Sequence, residues 1–334
     1  MKSSFMKAVS VVALAAAGLM VSTQALADRT LRLSLQLPLK HQLGQNIVYF
    51  KDEVEKLSNG KIKLELYDSA QLYKGNEIPQ AVASGAIDMG LVLIDEYAGT
   101  IPAVGIFSVA FMFPTYEVLA KAADPNSQVR QQIDELIRKT GTRVLWWQDY
   151  GPIQLVSKTP VVMPSDLKGK KVRVLGKPSG DFVEALGGIP VKIEGSEQFI
   201  AYQRGTVDVG MTGTTAIETR KLYEVMDYVT ITNHAQTEFL VVINDKLFES
   251  LSDQEKQWLK QAALAAENKI RAETKDENLS AEKFISEKTK MKVINLTPDQ
   301  IRAWQEASLP AIDVFINTAG PEAKKLVEEV RKLY

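Results

Sequence analysis

The sequence predicts an α/β protein of two similarly built lobes with a ligand cleft between them, and three observations predict it. A strand opened by Gly-Lys and a later Gly-x-aliphatic-Asp-x-Gly turn occur twice. The first set is Gly60-Lys61-Ile62-Lys63-Leu64-Glu65-Leu66 with Gly85-Ala86-Ile87-Asp88-Met89-Gly90; the second is Gly169-Lys170-Lys171-Val172-Arg173-Val174-Leu175 with Gly205-Thr206-Val207-Asp208-Val209-Gly210. β-Branched runs alternate with stretches of helical spacing along the chain. About 300 residues remain after an N-terminal leader, more than one small core usually holds, and 45% hydrophobic content can give each lobe its own core.

The leader is expected at residues 1–27. Lys2 and Lys7 form a charged start, Ala8 to Val21 is apolar, and Ala25-Leu26-Ala27 is a small-residue cleavage site, so the mature chain begins near Asp28 outside the cytoplasm. The apolar run is too short and alanine-rich to favour a permanent span. The chain has no cysteine, which excludes disulfides, a lipid-bearing cysteine, thiolate metal sites and cysteine nucleophiles. Without Lys2 and Lys7, 38 basic residues face 41 acidic ones, and this net charge of about −3, with no basic stripe to offset it, argues against nucleic acid as a partner.

In chain order, Leu31 to Leu37 alternates as a strand and ends at Pro38. A helix with Ile47, Phe50, Val54 and Leu57 on one face runs to Asn59-Gly60, and a strand reaches Tyr67. Glu77 opens the next helix, where its carboxylate suits the positive helix end or, alternatively, a ligand. Gly85 and Gly205 fit the left-handed residue that closes a helix, and Asp88 and Asp208 can bond nearby N–H groups before the next strand. Ile87 to Leu93 is a buried strand, and Asp134 to Ile137 lies in a helix closed by Gly141.

Thr142 to Trp147 is a strand, and Gln148-Asp149-Tyr150-Gly151-Pro152 is expected to break from it as the first crossing between lobes. Trp146 and Trp147 must face opposite sides, one into a core and the other into core or cleft. After the Arg173 strand, helices are expected at Ser179 to Leu186, at Ser196 to Gln203 with Ser196 as cap, and at Glu218 to Val225, followed by a short strand from Tyr228 to Ile231. Thr232-Asn233-His234 is the expected return crossing, before a buried strand at Phe239 to Ile243. The resulting boundaries are 28–151 for the first part of lobe 1, 152–235 for an inserted lobe 2, and 236–334 for the returning strand and the final helices. Ser252 and Glu255 form a capping box that starts a helix far longer than average, and Thr297-Pro298 starts another.

The chemistry offered is binding rather than catalysis. His41 and His234 stand in no metal spacing, and neither a Gly-x-Ser-x-Gly elbow, a phosphate loop nor a dinucleotide fingerprint occurs, so no metal and no cofactor is expected. Two lobes with crossings between them close on a ligand by hinge motion. Arg173 is either an exposed strand residue or the planar fork that meets a ligand carboxylate in the cleft.

The segments His41 to Gly44, Asn59-Gly60-Lys61-Ile62 with Gln71-Leu72, Gly85 to Asp88, Asp166 to Val174, Ala185 to Gly188, Tyr202 to Asp208, Lys221 to Val225 and Thr232 to His234 keep their order across the mature chain. In them the chain resembles the extracytoplasmic solute receptors of tripartite ATP-independent periplasmic transporters, the DctP family. The resemblance implies a two-lobed periplasmic solute-binding protein fold with a central cleft and a long C-terminal helix crossing both lobes. It also implies a periplasmic receptor that takes an organic acid on Arg173 and passes it to a small and a large membrane permease subunit, meeting the membrane only through them.

Three departures shape the expected pocket. Ile153 stands where many relatives carry a second arginine, Thr212 stands in for a ligand-binding asparagine, and Gly195 replaces an aromatic residue before Ser-Glu. A monocarboxylate, bulky or aromatic, is therefore favoured over a C4-dicarboxylate or sugar acid, with Trp147, Tyr97 and Phe239 as candidate walls. A periplasmic enzyme with a catalytic cleft carboxylate and a receptor for an ATP-driven importer are the competing readings.

Overall fold

Two long strands, β4 (Thr142–Ser157) and β8 (Tyr228–Asn244), lie antiparallel at the centre of the molecule and carry a half-sheet on each side. The computed structural model describes residues 29–334; the leader expected at 1–27 lies outside the described residues. The remaining strands are β1 (Arg29–Leu35), β2 (Ile62–Tyr67), β3 (Met89–Leu93), β5 (Lys171–Val174), β6 (Ile189–Lys192), β7 (Val209–Gly213) and β9 (Lys292–Asn295). The sheet order is β2-β1-β3-β8-β4-β7-β5-β6, with β9 paired to β8.

That order repeats outward from the central pair. β1 lies parallel between β2 and β3, as β5 lies parallel between β6 and β7. The two Gly-x-aliphatic-Asp turns do the same work in each half: Gly85 (φ 79°) and Gly205 (φ 65°) take the left-handed conformation. Asp88 then accepts the Arg32 backbone N–H at 2.8 Å, and Asp208 accepts that of Lys171 at 2.8 Å. The two Gly-Lys openings are not counterparts, however. β2 is an outer strand whereas β5 is an inner one, so the counterpart of β5 in the other half is β1, and the registers set Ser34 opposite Gly90 and Arg173 opposite Gly210. A strand-opening turn is a local signal, while position in the sheet follows from hydrogen-bond register.

The expected crossings are not breaks. Chain positions 151 and 152 lie inside β4 and positions 235 and 236 inside β8. The Gln148 to Pro152 irregularity is a β-bulge: the register shifts between Asp149 and Gly151, Gly151 takes φ 90°, and its N–H donates to Asp149 Oδ1 at 2.9 Å. The expected separate strands at Tyr228 and Phe239 are likewise one strand. Trp146 and Trp147 do face opposite sides, Trp146 against Phe50 and Trp147 against Phe107.

Helix ends differ where a tight turn intervenes. Ser196 sits in a 3-10 turn, Gly195–Glu197, ahead of the helix Gln198–Gln203, rather than capping it. The helix expected at Glu218 to Val225 is split into an earlier helix, Thr214–Thr219, and a 3-10 turn, Leu222–Glu224, because Lys221 between them adopts φ 56°. The helix Asp253–Lys288 has 36 residues, about 54 Å at 1.5 Å per residue, and opens on the predicted capping box, with Ser252 N–H donating to Glu255 Oε2 at 2.8 Å. It packs on the helix Gln42–Leu57, on β4 and on the helix Thr214–Thr219, so it touches both halves. β9, which follows it, has no Gly or Pro signal in the sequence and forms by lying parallel to β8.

Candidate ligand site at the lobe interface

β5 alternates, and this decides where Arg173 points. Val172 and Val174 join Phe182 in the core, so Arg173 between them turns to the other face, toward Tyr202. It is 4% exposed. Its Nε–H donates to the Ile193 carbonyl at 2.9 Å and Nη1 donates to the Met211 carbonyl, yet among the described residues no carboxylate lies within 4.0 Å of it. A buried guanidinium satisfied only by neutral carbonyls keeps its charge uncompensated.

Close approach to backbone is what brings the rest of the site together. A Cβ at Gly210 would overlap the Tyr202 hydroxyl, and one at Gly213 would overlap the Tyr150 ring. Tyr150 packs against Phe239 (ring centroids 5.1 Å apart) and stacks on His41 (5.6 Å). His41 Nδ1 accepts the Leu43 N–H at 3.1 Å, which leaves its proton on Nε2 for Thr215 Oγ1 at 3.1 Å. Burial, with the Arg220 charge adding to it, pulls the His41 pKa down to about 3.

Gln36 follows β1, as Leu175 follows β5, at the carboxyl end of its strand. Its side chain lies between Gly75 and Gly195, where a Cβ on either glycine would overlap it. Arg220, just past the helix Thr214–Thr219, reaches the same spot: its Nη2 lies 3.1 Å from where a Gly195 Cβ would be and 3.5 Å from the Gln36 carbonyl. Burial pulls the Arg220 pKa down to about 10, and the like charge of Arg173 pulls the same way. Gln36 Oε1, Thr212 Oγ1, Glu194 Oε2 and Arg220 Nε are all buried without a hydrogen-bond partner.

Two ion pairs tie the halves at the rim, Lys74 with Glu197 at 2.7 Å and Lys192 with Glu96 at 3.0 Å. Burial pushes the Glu96 carboxyl up to about 7, with Lys192 opposing the rise. Beside this rim lies a cavity of about 850 Å³ lined by Asp95, Glu96, Gly176, Lys177, Lys192 and Phe315. Arg173 does not line it, so the space is a neighbouring groove and not the arginine site.

Of the residues singled out in the sequence, Arg173, Thr212 and Phe239 come together here. Glu77 does not: it is exposed, and its carboxylate accepts the Lys74 N–H at 2.7 Å as a helix-capping group. Trp147 and Tyr97 belong to a separate apolar cluster. The Trp147 Nε1–H donates to Asp134 at 2.8 Å and the Tyr97 hydroxyl meets Thr142 at 2.8 Å, so both polar ends are used inside the fold. Gln36, Tyr150, Tyr202 and Arg220 were not among the site residues expected from the sequence. The rule that ligands sit outside the carboxyl ends of strands would have pointed to Gln36 and to the segment after β7.

Among the described residues, no group of three or more His, Asp or Glu is placed to hold a metal, and no helix is long and apolar enough to cross a membrane. The chain is similar over 281 residues, at 26% identity and 84% of each chain, to the C4-dicarboxylate-binding periplasmic protein DctP of Rhodobacter capsulatus. Its fold matches the TRAP periplasmic solute binding protein of Sulfurospirillum deleyianum with bound succinate (TM-score 0.85, 24% identity, 92% of this chain and 100% of that one). It also matches the sugar acid binding protein DctPAm of Advenella mimigardefordensis in complex with galactonate (TM-score 0.87, 23% identity, 92% and 99%). The model for bacterial extracellular solute-binding protein, family 7, spans residues 33–318, and the chain therefore belongs to this DctP family, with its two-lobed α/β fold.

Proposed function

We propose that this protein is an exported receptor that captures a small organic acid between its lobes and hands it to a membrane permease pair. The observation that carries the reading is Arg173: buried, donating only to two carbonyls, and without a carboxylate partner among the described residues. A ligand carboxylate would supply the missing charge in bidentate geometry, with Thr212 as a hydroxyl donor and Phe239 and Tyr150 as apolar walls. The expected preference for a monocarboxylate rested on three departures, at Ile153, Thr212 and Gly195. Arg220 puts a second guanidinium at the site from another element, which offsets the first of these, and the proposed class is organic acids with dicarboxylates and sugar acids included.

The test is calorimetry of the mature chain against a panel of organic acids, with Arg173→Gln alongside. Loss of about two to four decades of affinity for the best ligand is expected, since one buried charge is left unpaired at a cost of about 3–5 kcal/mol. Binding that survives Arg173→Gln within threefold, or conversion of the bound acid to a product, would refute the reading.

A further inference from the structure

We infer that Arg220 is a second ligand-gripping residue, and that the captured acid carries an oxygen acceptor remote from the carboxylate held by Arg173. The inference rests on the reading of Arg173 given above and goes beyond it in naming a residue and a feature of the substrate.

Four observations carry it. The first is that Arg220 has a donor with nothing to donate to: its Nε is enclosed and unpartnered. Its one contact, the Gln36 carbonyl at 3.5 Å, is at the limit of a hydrogen bond, and no carboxylate of the described residues pairs with it. A guanidinium is donor-only, so what completes it must be an acceptor. The second is that the tip of Arg220 lies beside Gly195, where any side chain would collide with Gln36 and crowd the arginine. The absence of a side chain at position 195 is thus what lets the guanidinium in.

The third is that Arg173 and Arg220 are close enough to repel, and both belong to the half built on β5, β6 and β7. Repulsion between two half-satisfied cations is a cost the empty site bears and a bound acceptor relieves. The fourth is that Arg220 reaches Gln36 across the interface, so an acceptor held there would be enclosed from both halves. Glu194, whose charge acts on Arg220, is the acid to weigh against this role. Its Oε1 is taken by Lys192 at 3.5 Å, and its other oxygen makes no bond to Arg220.

The acceptor's chemistry is a carboxylate, or a carbonyl or hydroxyl oxygen; the arms of the experiment separate these. Wild type, Arg220→Gln and Arg173→Gln are each titrated with three acids of one chain length: succinate, 4-oxobutanoate and butyrate. The expected result is that wild type binds succinate or 4-oxobutanoate at least tenfold more tightly than butyrate, and that Arg220→Gln removes this advantage while leaving butyrate within threefold. Loss of the succinate advantage alone assigns a second carboxylate, and loss of both assigns any oxygen acceptor. Equal affinity of wild type for all three, no binding of any, or equal weakening of all three by Arg220→Gln would overturn the inference. Arg173→Gln separates the two readings: if it abolishes binding while Arg220→Gln has no effect, the function stands and only the role of Arg220 is lost. Unchanged thermal melting of ligand-free Arg220→Gln shows that the fold is intact, and Arg220→Lys, which keeps charge without the fork, is expected to fall between wild type and Gln.

Discussion

His41 Nε2 lies 3.1 Å from Thr215 Oγ1 and joins the loop after β1 to the helix after β7 across the interface between the halves. The ring must be neutral, because Nδ1 accepts the Leu43 N–H and a protonated Nδ1 could not. Burial pulls both His41 and His234 from 6.5 to about 3. The unfolded chain therefore takes up two protons below pH 6.5 that the folded protein refuses until about pH 3. Their contribution is complete above pH 6.5 and is lost as pH falls through that window, by up to about 1.4 kcal/mol per pH unit for each ring. Buried carboxylates raised by burial, such as Asp95 at about 6, act in the opposite sense, so the difference between variants is the reading to take. His234→Gln should flatten the fall of melting temperature between pH 6.5 and 4; a slope identical to wild type would sink this account.

Gly210 faces Arg173 across the β5–β7 register and leaves room for the Tyr202 hydroxyl, which donates to Gln198 Oε1 at 3.0 Å. Gly210→Ala should cost about 1–3 kcal/mol through overpacking. Because the clash is with the hydroxyl end, combining it with Tyr202→Phe should recover part of the loss. Urea melts of the four proteins in this cycle check it, and strict additivity would show that the two groups do not meet.

Asp88 and Asp208 each accept a strand N–H at 2.8 Å, in opposite halves of the molecule. Replacing either with Ala removes a bond that water can partly replace, so each should cost about 0.5–1.5 kcal/mol, with the double variant close to the sum. The Arg32 side chain adds a 3.3 Å contact to Asp88, but with the Arg32 side chain 43% exposed the pair should add little. A cost for Asp88→Ala several times that for Asp208→Ala would show that the halves are not equivalent.

Arg130 and Glu267 form a buried ion pair between the helix Gln128–Arg138 and the long helix Asp253–Lys288. Arg130→Met alone strands the Glu267 carboxylate and should lose about 3–5 kcal/mol, whereas Arg130→Met with Glu267→Met should lose clearly less, because the charges left beside the pair, Asp134 and Arg271, are partly exposed or paired elsewhere. Denaturant unfolding decides it; a double variant weaker than both single ones would contradict this reading.

The parts of this protein legible in its sequence are those with short-range causes. Left-handed glycines before Asp88 and Asp208, the Ser252 capping box and the opposed faces of Trp146 and Trp147 all follow from backbone sterics and local hydrogen bonding. So does Arg173, since alternation on a four-residue strand leaves it no place in the core. The first crossing reads as a break because a bulge at Gly151 and a loop carry the same Gly-Pro signal, and only cross-strand pairing tells them apart. Trp147 and Tyr97 read as cleft walls because aromatic character does not say which face of a sheet is covered; the helices on that face covered both.

The chain by itself determined two α/β halves, a long helix, and one arginine turned away from a core, because each is written in spacings of a few residues. Only the tertiary structure decided the make-up of the site. Gln36, Tyr150, Gly195 and Arg220 lie on separate elements up to 184 residues apart, and what unites them is the closing of one half on the other. No local pattern encodes that distance, since it comes from the register of β4 with β8, which sets how the two halves face each other.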